Sequence, residues 1–306
     1  MRAVLIRLGY GLIAAWGAVT LVFFLSRLTS DPARLMAPPG SSAEQVDQVR
    51  TELGLDQPVL QQYLTYLGDV VRGDFGTSYW LRIDVTSIIG ERVWATLSLT
   101  LMALAIALLI AVPAGLLAAF RHNRAVDRLL VSGSMLGNAI PTFWMAPVLI
   151  LLFSVTIPIF PPSGRSDISS YVLPAVALAG LQGAILFKIT RGVALDILSQ
   201  DHIRLARAKG VYGAKLALAH VFPNTLLPVL TMAGLALANL LSSAIVVEVI
   251  FAWPGIGSTM VDAVRQRDFP LVQGITVVFA LTYVLINTTV DLLYRVVDPR
   301  LRKAEA

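Results

Sequence analysis

Long runs of apolar residues without a charged side chain dominate the chain. A helix needs about 20 such residues to cross the roughly 30 Å of hydrocarbon in a bilayer. Because lipid tolerates only helices and closed barrels, and the two-residue alternation of barrel strands is missing, these runs predict an all-α integral membrane protein. The six predicted spans are Leu8–Ser26, Val93–Phe120, Leu129–Ile157, Ile168–Phe187, Val221–Val247 and Phe269–Val290.

The third apolar run continues to Gly164 and is too long for one span. Prolines at 158, 161 and 162 interrupt helical hydrogen bonding, so we expect the helix to end near Ile157. Pro141 and Pro147 lie inside this span. They predict a kink that serves either gating or packing.

Arginine and lysine are distributed unevenly between the segments that join the spans. If both termini are cytoplasmic, the inner segments carry 15 basic and 6 acidic residues, and the outer segments 9 basic and 13 acidic. Basic residues accumulate on the cytoplasmic side, so we predict that both termini lie there. The first span could be a cleaved signal peptide, but its 19 uncharged residues exceed the usual signal core and favour a retained helix.

The spans divide the chain into four segments. We expect a cytoplasmic N-terminus with the first span at 1–28, an outer helical segment at 29–92, a five-helix core at 93–294 with an inner loop at 191–221, and a cytoplasmic tail at 295–306. In the outer segment, Ser41-Ser42-Ala43-Glu44 predicts a capping box. The helix it starts carries Val46, Val49 and Leu53 on one face and ends at Gly54. A second amphipathic helix starts at Pro58 and ends before Gly73, with an apolar side of Leu60, Tyr63, Leu64, Leu67 and Val71.

Composition excludes several classes of protein. The chain is 56% hydrophobic and 14% charged, with a mean hydropathy of +0.74, whereas soluble domains carry about 25% charged residues. An ordinary soluble enzyme is therefore excluded. The sequence has no cysteine, so thiolate metal sites and thiol catalysis are excluded as well.

The inner loop at 191–221 has the clearest local pattern. Its residue types predict a helix that Asp201 caps and Gly210 ends, followed by a second short helix over Tyr212–His220. This basic helix–turn–helix would suit docking to a cytoplasmic partner. The alternative is a loop that only sets the membrane topology and contacts lipid phosphates, because such a loop is also positively charged.

Motifs for chemistry are missing from the sequence. A phosphate-binding loop needs Gly-x-x-x-x-Gly-Lys-[Ser/Thr], and the segment from Gly210 to Lys215 has the wrong spacing. We therefore predict that this chain does not hydrolyse ATP and holds no cofactor. His122, His202 and His220 lack metal-ligand spacing, so no metal site is predicted, and hydrolase motifs do not occur.

A few polar residues inside or near the spans are candidates for a transport pathway. They are Asn138, Gln182, Asn239, Asn287 and Glu248. Such groups usually face the interior of a bundle, where interhelical bonding accounts for each amide as well as contact with a substrate does. The segment Trp253–Gly257 begins with an aromatic residue and continues with turn formers. It predicts a loop anchored at the lipid headgroups.

Several segments together resemble a known family. Ala206-Arg207-Ala208-Lys209-Gly210, followed by His220, Asn224 and Leu227-Pro228, resembles the signature loop of importer permeases of ATP-binding-cassette (ABC) systems. Further similar segments are Asp31–Arg34, Leu53–Pro58, Gly73–Gly76, Val247–Gly257 and Asp298–Arg300. The wider signature has Glu-Ala-Ala where this chain has Arg204-Leu205-Ala206. The same difference is a feature of the dipeptide/oligopeptide/nickel permease branch, so the chain resembles that branch of the superfamily.

The resemblance implies a type I ABC importer permease fold and a function that depends on partner proteins. The implied partners are a second related permease, two ATPase subunits that bind ATP and magnesium, an extracytoplasmic substrate-binding protein and membrane lipids, but no nucleic acid. Contact with the ATPase would involve Asp201, Arg204, Ala206, Arg207, Ala208, Lys209 and Gly210, and the outer gate would involve Trp253, Pro254 and Gly255.

The cargo stays open at this point. Dipeptides, oligopeptides, glutathione, chelated nickel and oligosaccharides all pass through permeases of this kind. Two other classes of protein compete with the permease hypothesis. A self-contained secondary carrier or channel would need intramembrane charges that the spans nearly lack, and a non-transporting scaffold would lack a continuous polar cavity.

Overall fold

The computed structural model describes residues 2–29, 31–38, 40–52 and 54–297, and the side chains of residues 9–28, 31–38, 40–52, 54–286, 288 and 289. Over these residues the chain is helical, apart from loops and one isolated bridge between Thr77 and Asp84. Five helices are long and apolar enough to cross a membrane, and a bent pair makes six if it forms one span. The predicted all-α membrane fold is confirmed.

Thirteen α-helices can be assigned in the described residues. They are α1 Arg2–Thr29, α2 Pro32–Met36, α3 Ala43–Glu52, α4 Val59–Arg72, α5 Val85–Phe120, α6 Ala125–Ala139, α7 Thr142–Ile150, α8 Val172–Leu198, α9 Asp201–Ala208, α10 Gly213–Leu216, α11 Phe222–Ile250, α12 Ile256–Arg265 and α13 Phe269–Val297. A π-helical turn at Leu151–Thr156 extends α7, and another at Ala217–Val221 joins α10 to α11.

The third predicted span is not one helix. α6 and the extended α7 meet at an angle of 101°. At the break, Ile140 has extended backbone (φ −87°, ψ 116°), the conformation favoured before a proline, and Pro141 is the N-cap residue of α7. The prediction of a continuous helix over Leu129–Ile157 is therefore wrong. Pro141 produces a full break, whereas Pro147 lies inside α7 without ending it.

The inner loop is shorter than predicted because the flanking helices extend into it. α8 continues to Leu198, so Arg191 is helical. The short helix predicted over Tyr212–His220 is present as α10 and the π-helical turn, but it is not separate, because the turn runs directly into α11. Pro223 does not interrupt this path, since it lies in the first turn of α11, where a missing N–H is tolerated.

The chain forms two compact units. Among the described residues, the first unit contains those up to Trp94 together with Ser258–Leu285, and the second contains Ala95–Gly257 and residues 286–297. Helices α5, α12 and α13 contribute residues to both units.

In the first unit, α3 begins with a capping box in a different register from the one predicted. Ser42 Oγ accepts a hydrogen bond from the backbone N–H of Gln45 (3.3 Å), and Gln45 Oε1 accepts one from the N–H of Ser42 (2.9 Å). The box therefore starts one residue later than Ser41, since Gln45 supplies the reciprocal acceptor in place of Glu44. Leu53, predicted on the apolar face of α3, lies outside the described residues.

Helix α4 packs through its aromatic residues. The hydroxyl groups of Tyr63 and Thr20 share a 2.6 Å hydrogen bond, and the Tyr63 ring lies 5.3 Å from the ring of Phe23. Most of the predicted apolar side is not used in this way, because Leu60, Leu64 and Val71 are exposed. α4 ends before Gly73, as predicted, and Gly73 caps it in the left-handed conformation (φ +81°).

In the second unit, α5 lies close to α8 because small residues occupy the contact. A Cβ added to Gly115 of α5 would lie 2.8 Å from Thr190 Cβ and 3.0 Å from Phe187 O of α8. Alanines of α5 at 95, 103, 107 and 111 are buried in the same unit. Small residues at helix contacts allow the close backbone approach that is typical of membrane proteins.

We expect Gly115→Ala to destabilise the chain by about 1–3 kcal/mol, the usual cost of overpacking, because Thr190 or the Phe187 carbonyl must move. Gly90→Ala in the same helix is the matched control, since nothing lies within 4 Å of its Cβ position. It should be neutral or stabilise by roughly 0.5–1 kcal/mol. Thermal unfolding in detergent measures both, and equal midpoints for the two variants would contradict the close packing.

Candidate functional site

The segment Asp201–Gly210 forms an exposed elbow between α8 and α10. Gly210 has a φ of +81°. Its N–H donates to Arg207 O (3.0 Å), and the N–H of Val211 donates to Ala206 O (3.1 Å), which together make a Schellman-type end for α9. The predicted cap at the other end is wrong. Gln200 is the N-cap residue, and Asp201 is the first helical residue, where its carboxylate favours the positive end of the helix dipole.

The inner face of the elbow is apolar and packed. Ile203 has no exposed surface and Ala206 is 7% exposed. They belong to one buried cluster with Ala119 of α5 and with Ala194 and Ile197 of α8. The elbow is therefore attached to two long helices by buried side chains.

The outer face of the elbow is basic and open. Of the seven residues predicted to contact an ATPase, six are exposed, namely Asp201, Arg204, Arg207, Ala208, Lys209 and Gly210. Ala206 instead packs inward. Leu205, which was not predicted, adds an exposed apolar side chain (57%) to this face. Arg204 pairs with Asp201 at 3.2 Å, but both side chains are largely exposed, so this pair adds little stability.

A partly buried ion pair supports the same region. The guanidinium of Arg191 on α8 donates two hydrogen bonds to the Asp127 carboxylate, from Nε to Oδ1 (2.7 Å) and from Nη2 to Oδ2 (2.9 Å). The N–H of Asn123 donates to Asp127 Oδ2 (2.9 Å), and His122 Nδ1 lies 3.2 Å from Arg191 Nη2. This pair was not predicted from the sequence, although Asp127 and Arg191 each lie beside an apolar run, which is a signal that could have indicated it.

Glu248, the predicted ionisable pathway residue, is completely buried. Thr96 Oγ1 of α5 donates to Glu248 Oε1 (2.5 Å) and accepts a hydrogen bond from the backbone N–H of Ile256 (2.9 Å). A Cβ added to Gly255 would overlap the Glu248 carboxylate, and one added to Gly257 would lie 2.8 Å from Oε2. The carboxylate is therefore enclosed by α5 and by the segment that leads into α12.

Trp253 does not anchor a loop at the headgroups, so that prediction is wrong. It has no exposed surface. Its Nε1 donates to Ala95 O (3.1 Å), and its ring packs edge-on against Tyr171 at 4.5 Å. Pro254 is partly buried and Gly255 is buried. The segment from Trp253 to Gly255 is thus part of the packed core around Glu248.

The predicted amides do not form one group in the described residues. Gln182 of α8 is buried, whereas Asn138 of α6 and Asn239 of α11 are exposed. The side chain of Asn287 lies outside the described residues. Two arrangements therefore stand out within the second unit: the elbow, and the enclosed carboxylate with its loop.

Two family models together match almost the whole chain. Residues 111–303 match "Binding-protein-dependent transport system inner membrane component", and residues 2–100 match its N-terminal counterpart. The chain belongs to this family.

Similar proteins agree with this assignment. The glutathione transport system permease protein GsiC of Escherichia coli (strain K12) is 39% identical over 285 residues, 93% of both chains, and GsiC of Shigella dysenteriae serotype 1 (strain Sd197) matches equally well. A structure of the MetNI methionine ABC transporter superposes with a TM-score of 0.58 at 17% identity, over 69% of this chain and 96% of that chain. An amino acid ABC transporter superposes with a TM-score of 0.51 at 18% identity, over 69% of this chain and 94% of that one.

These findings confirm the resemblance and the fold class. The protein is a multi-pass inner-membrane permease subunit of an ABC importer. Members of this family are inner-membrane components of binding-protein-dependent transport systems, so the family implies a substrate-binding protein and an ATPase as partners.

We expect Thr96→Val to lower the free energy of unfolding by about 1.5–3 kcal/mol, because it removes a hydrogen bond to a buried carboxylate. Thr100→Val is the matched control. Thr100 is also fully buried in α5, but its hydroxyl bonds only to carbonyls of its own helix. Thermal or denaturant unfolding should therefore show a smaller loss for Thr100→Val, and equal losses would contradict the role of Thr96.

Proposed function

We propose that this chain is one of two related permease subunits that enclose a pathway for peptides. In this proposal a binding protein delivers the cargo from outside, and two ATPase subunits bind magnesium and hydrolyse ATP. The observation that carries the proposal is the 39% identity to a glutathione permease over 93% of the chain. Glutathione is a tripeptide, so that relative and the dipeptide/oligopeptide resemblance both support a peptide cargo.

The elbow is the proposed coupling helix. Its exposed face offers Arg204, Arg207 and Leu205, a mixture of charge and apolar surface that suits docking into a groove on another protein. Its packed face would transmit movement, since Ile203 lies in one cluster with residues of α5 and α8. Closure of the ATPase dimer on ATP would draw two such elbows together and open the pathway outward, and hydrolysis would reset it.

The proposal places the elbow and both termini in the cytoplasm. This orientation gives the inner segments 15 basic and 6 acidic residues, in agreement with the usual bias of arginine and lysine. The exposed arginines at the elbow then face the compartment in which ATP is available.

A second permease would also account for the exposed amides. Asn138 and Asn239 lie on helices of candidate spans, yet their side chains are exposed. A polar side chain at membrane depth normally faces another helix or a wet cavity rather than lipid. Pairing with a related subunit around a polar pathway would supply both surroundings.

Substitutions at Gly210 test the coupling role. The space around its Cβ position is open, but its φ of +81° disfavours side chains, and β-branched ones most. The strain costs about 1–2 kcal/mol, which lowers the population of the native elbow by roughly 5- to 30-fold. Gly210→Val should therefore lower the transport per ATP hydrolysed in a reconstituted complex. Gly210→Asn should have a much smaller effect, since asparagine tolerates this conformation.

The control for the Gly210 series is Gly192→Ala in α8, where the helical backbone is ordinary and nothing lies within 4 Å of the Cβ position. This variant should transport labelled glutathione as the unchanged protein does. If Gly210→Val keeps normal transport and normal stimulation of ATP hydrolysis, the elbow is not the coupling element.

A further inference from the structure

The first unit contains a polar cleft of about 710 Å³. Its lining includes Arg27 at the end of α1, Gln62, Tyr66 and Asp69 of α4, and Tyr79 in the following loop. This volume lies within the usual range for small-molecule sites. None of the residues predicted to serve coupling or the pathway lines this cleft.

Buried polar atoms without partners are concentrated in this cleft. In the part of the chain that the structure describes, four buried side-chain atoms make no hydrogen bond, and three of them belong to residues lining the cleft: Arg27 Nε, Gln62 Oε1 and Tyr66 OH. An unsatisfied buried group costs roughly 1–3 kcal/mol. The residues that carry these atoms line one cavity, where a ligand would supply partners that the chain itself does not.

Gln62 shows how the cleft is built. Its side chain is 9% exposed. The amide Nε2 donates to the carbonyl oxygens of Leu55 (3.1 Å) and Gln57 (2.8 Å), which fixes the amide and leaves Oε1 as the acceptor without a donor. In contrast, the neighbouring Tyr63 hydroxyl is satisfied by Thr20. The unsatisfied atoms of α4 are thus found on residues that line the cleft and not on the neighbouring Tyr63.

The two hydrogen-bond donors of the cleft, Arg27 and Tyr66, are held in place by aromatic packing. The Arg27 guanidinium lies 5.0 Å from the centre of the Phe23 ring, and the Tyr66 ring stacks on the same ring at 5.3 Å. Burial raises the pKa of Tyr66, so its phenol keeps its proton and can donate. A cationic group and a neutral hydroxyl fixed on one ring are suited to an anionic oxygen.

Negatively charged side chains lie on other parts of the cleft wall. Glu52 and Asp74 are exposed carboxylates that line the cleft, and Asp69 is partly exposed. The adjoining loop is held in place by the buried Asp268, which accepts hydrogen bonds from the N–H groups of Tyr79 (3.1 Å) and Trp80 (3.2 Å). The cleft therefore combines a fixed cation with carboxylates nearer to solvent.

We propose that this cleft binds a small zwitterion of the amino-acid or short-peptide class. The ligand carboxylate would accept from Arg27 and Tyr66, and its amide or ammonium N–H groups would donate to Gln62 Oε1 and the rim carboxylates. The proposal assigns a solute site to the first unit that is separate from the coupling and pathway roles. It rests on the proposed function only for the choice of glutathione as the first probe.

The test measures binding of glutathione and of glycylglycine to the purified full-length chain in detergent by calorimetry, together with thermal unfolding. Tyr66→Phe should weaken binding at least tenfold. Without a probe it should not lower the unfolding midpoint, because the hydroxyl has no partner to lose. Added probe should raise the midpoint of the unchanged protein and have little effect on Tyr66→Phe.

The matched control is Tyr63→Phe, which removes the satisfied hydroxyl one turn away. It should lower the midpoint slightly and leave binding within twofold. Arg27→Met, which removes the cation, should abolish binding of both probes. If Tyr66→Phe and Arg27→Met bind as well as the unchanged protein, the site is elsewhere and the proposal is wrong.

A second outcome would also overturn the proposal. If neither probe binds and Tyr66→Phe lowers the midpoint, the hydroxyl is bonded to ordered water only. Transport by the reconstituted complex separates the two proposals. Transport without binding in the cleft contradicts this inference alone, whereas binding in the cleft without any transport contradicts the proposed function alone.

Discussion

The packing of α9 against α5 and α8 is the contact on which the rest of the account depends. Ile203 has no exposed surface and lies in one cluster with Ala119 and Ala194. Withdrawing a buried isoleucine costs roughly 1.5–3 kcal/mol, so the elbow cannot swing away from the helices without loss of stability. The Asp127–Arg191 pair joins the start of α6 to α8 in the same unit. A displacement of the elbow is therefore transmitted to the long helices α5 and α8.

Elsewhere in the second unit, the buried carboxylate of Glu248 is hydrogen-bonded. Glu248 is hydrogen-bonded to Thr96, and the same hydroxyl accepts the N–H of Ile256, so one side chain of α5 is bonded to α11 and to the start of α12. Glycines at 255 and 257 let the chain approach the carboxylate closely. These contacts enclose the carboxylate, so Glu248 helps to position the loop in this structure. Its role in the transport pathway stays a prediction.

The sequence was sufficient for features that belong to one segment. Charge-free runs located the candidate spans, and the residue types of the elbow predicted its helix and its terminating Gly210. It was insufficient where distant segments decide the outcome. The burial of Trp253 depends on Ala95 and Tyr171, far away in the chain, and the 101° break at Pro141 exceeds the predicted kink. The helix α12 was missed because it is short and follows a glycine-rich turn.

Cross-linking of the elbow to the ATPase tests the central claim most directly. The sequence contains no cysteine, so single-cysteine variants need no other change. Leu205→Cys, on the exposed face of α9, should form a product with the ATPase subunit when a short thiol-to-amine reagent is added to the assembled complex. Gln45→Cys, exposed on α3, should not. A product from Gln45→Cys, or none from Leu205→Cys, would contradict the account.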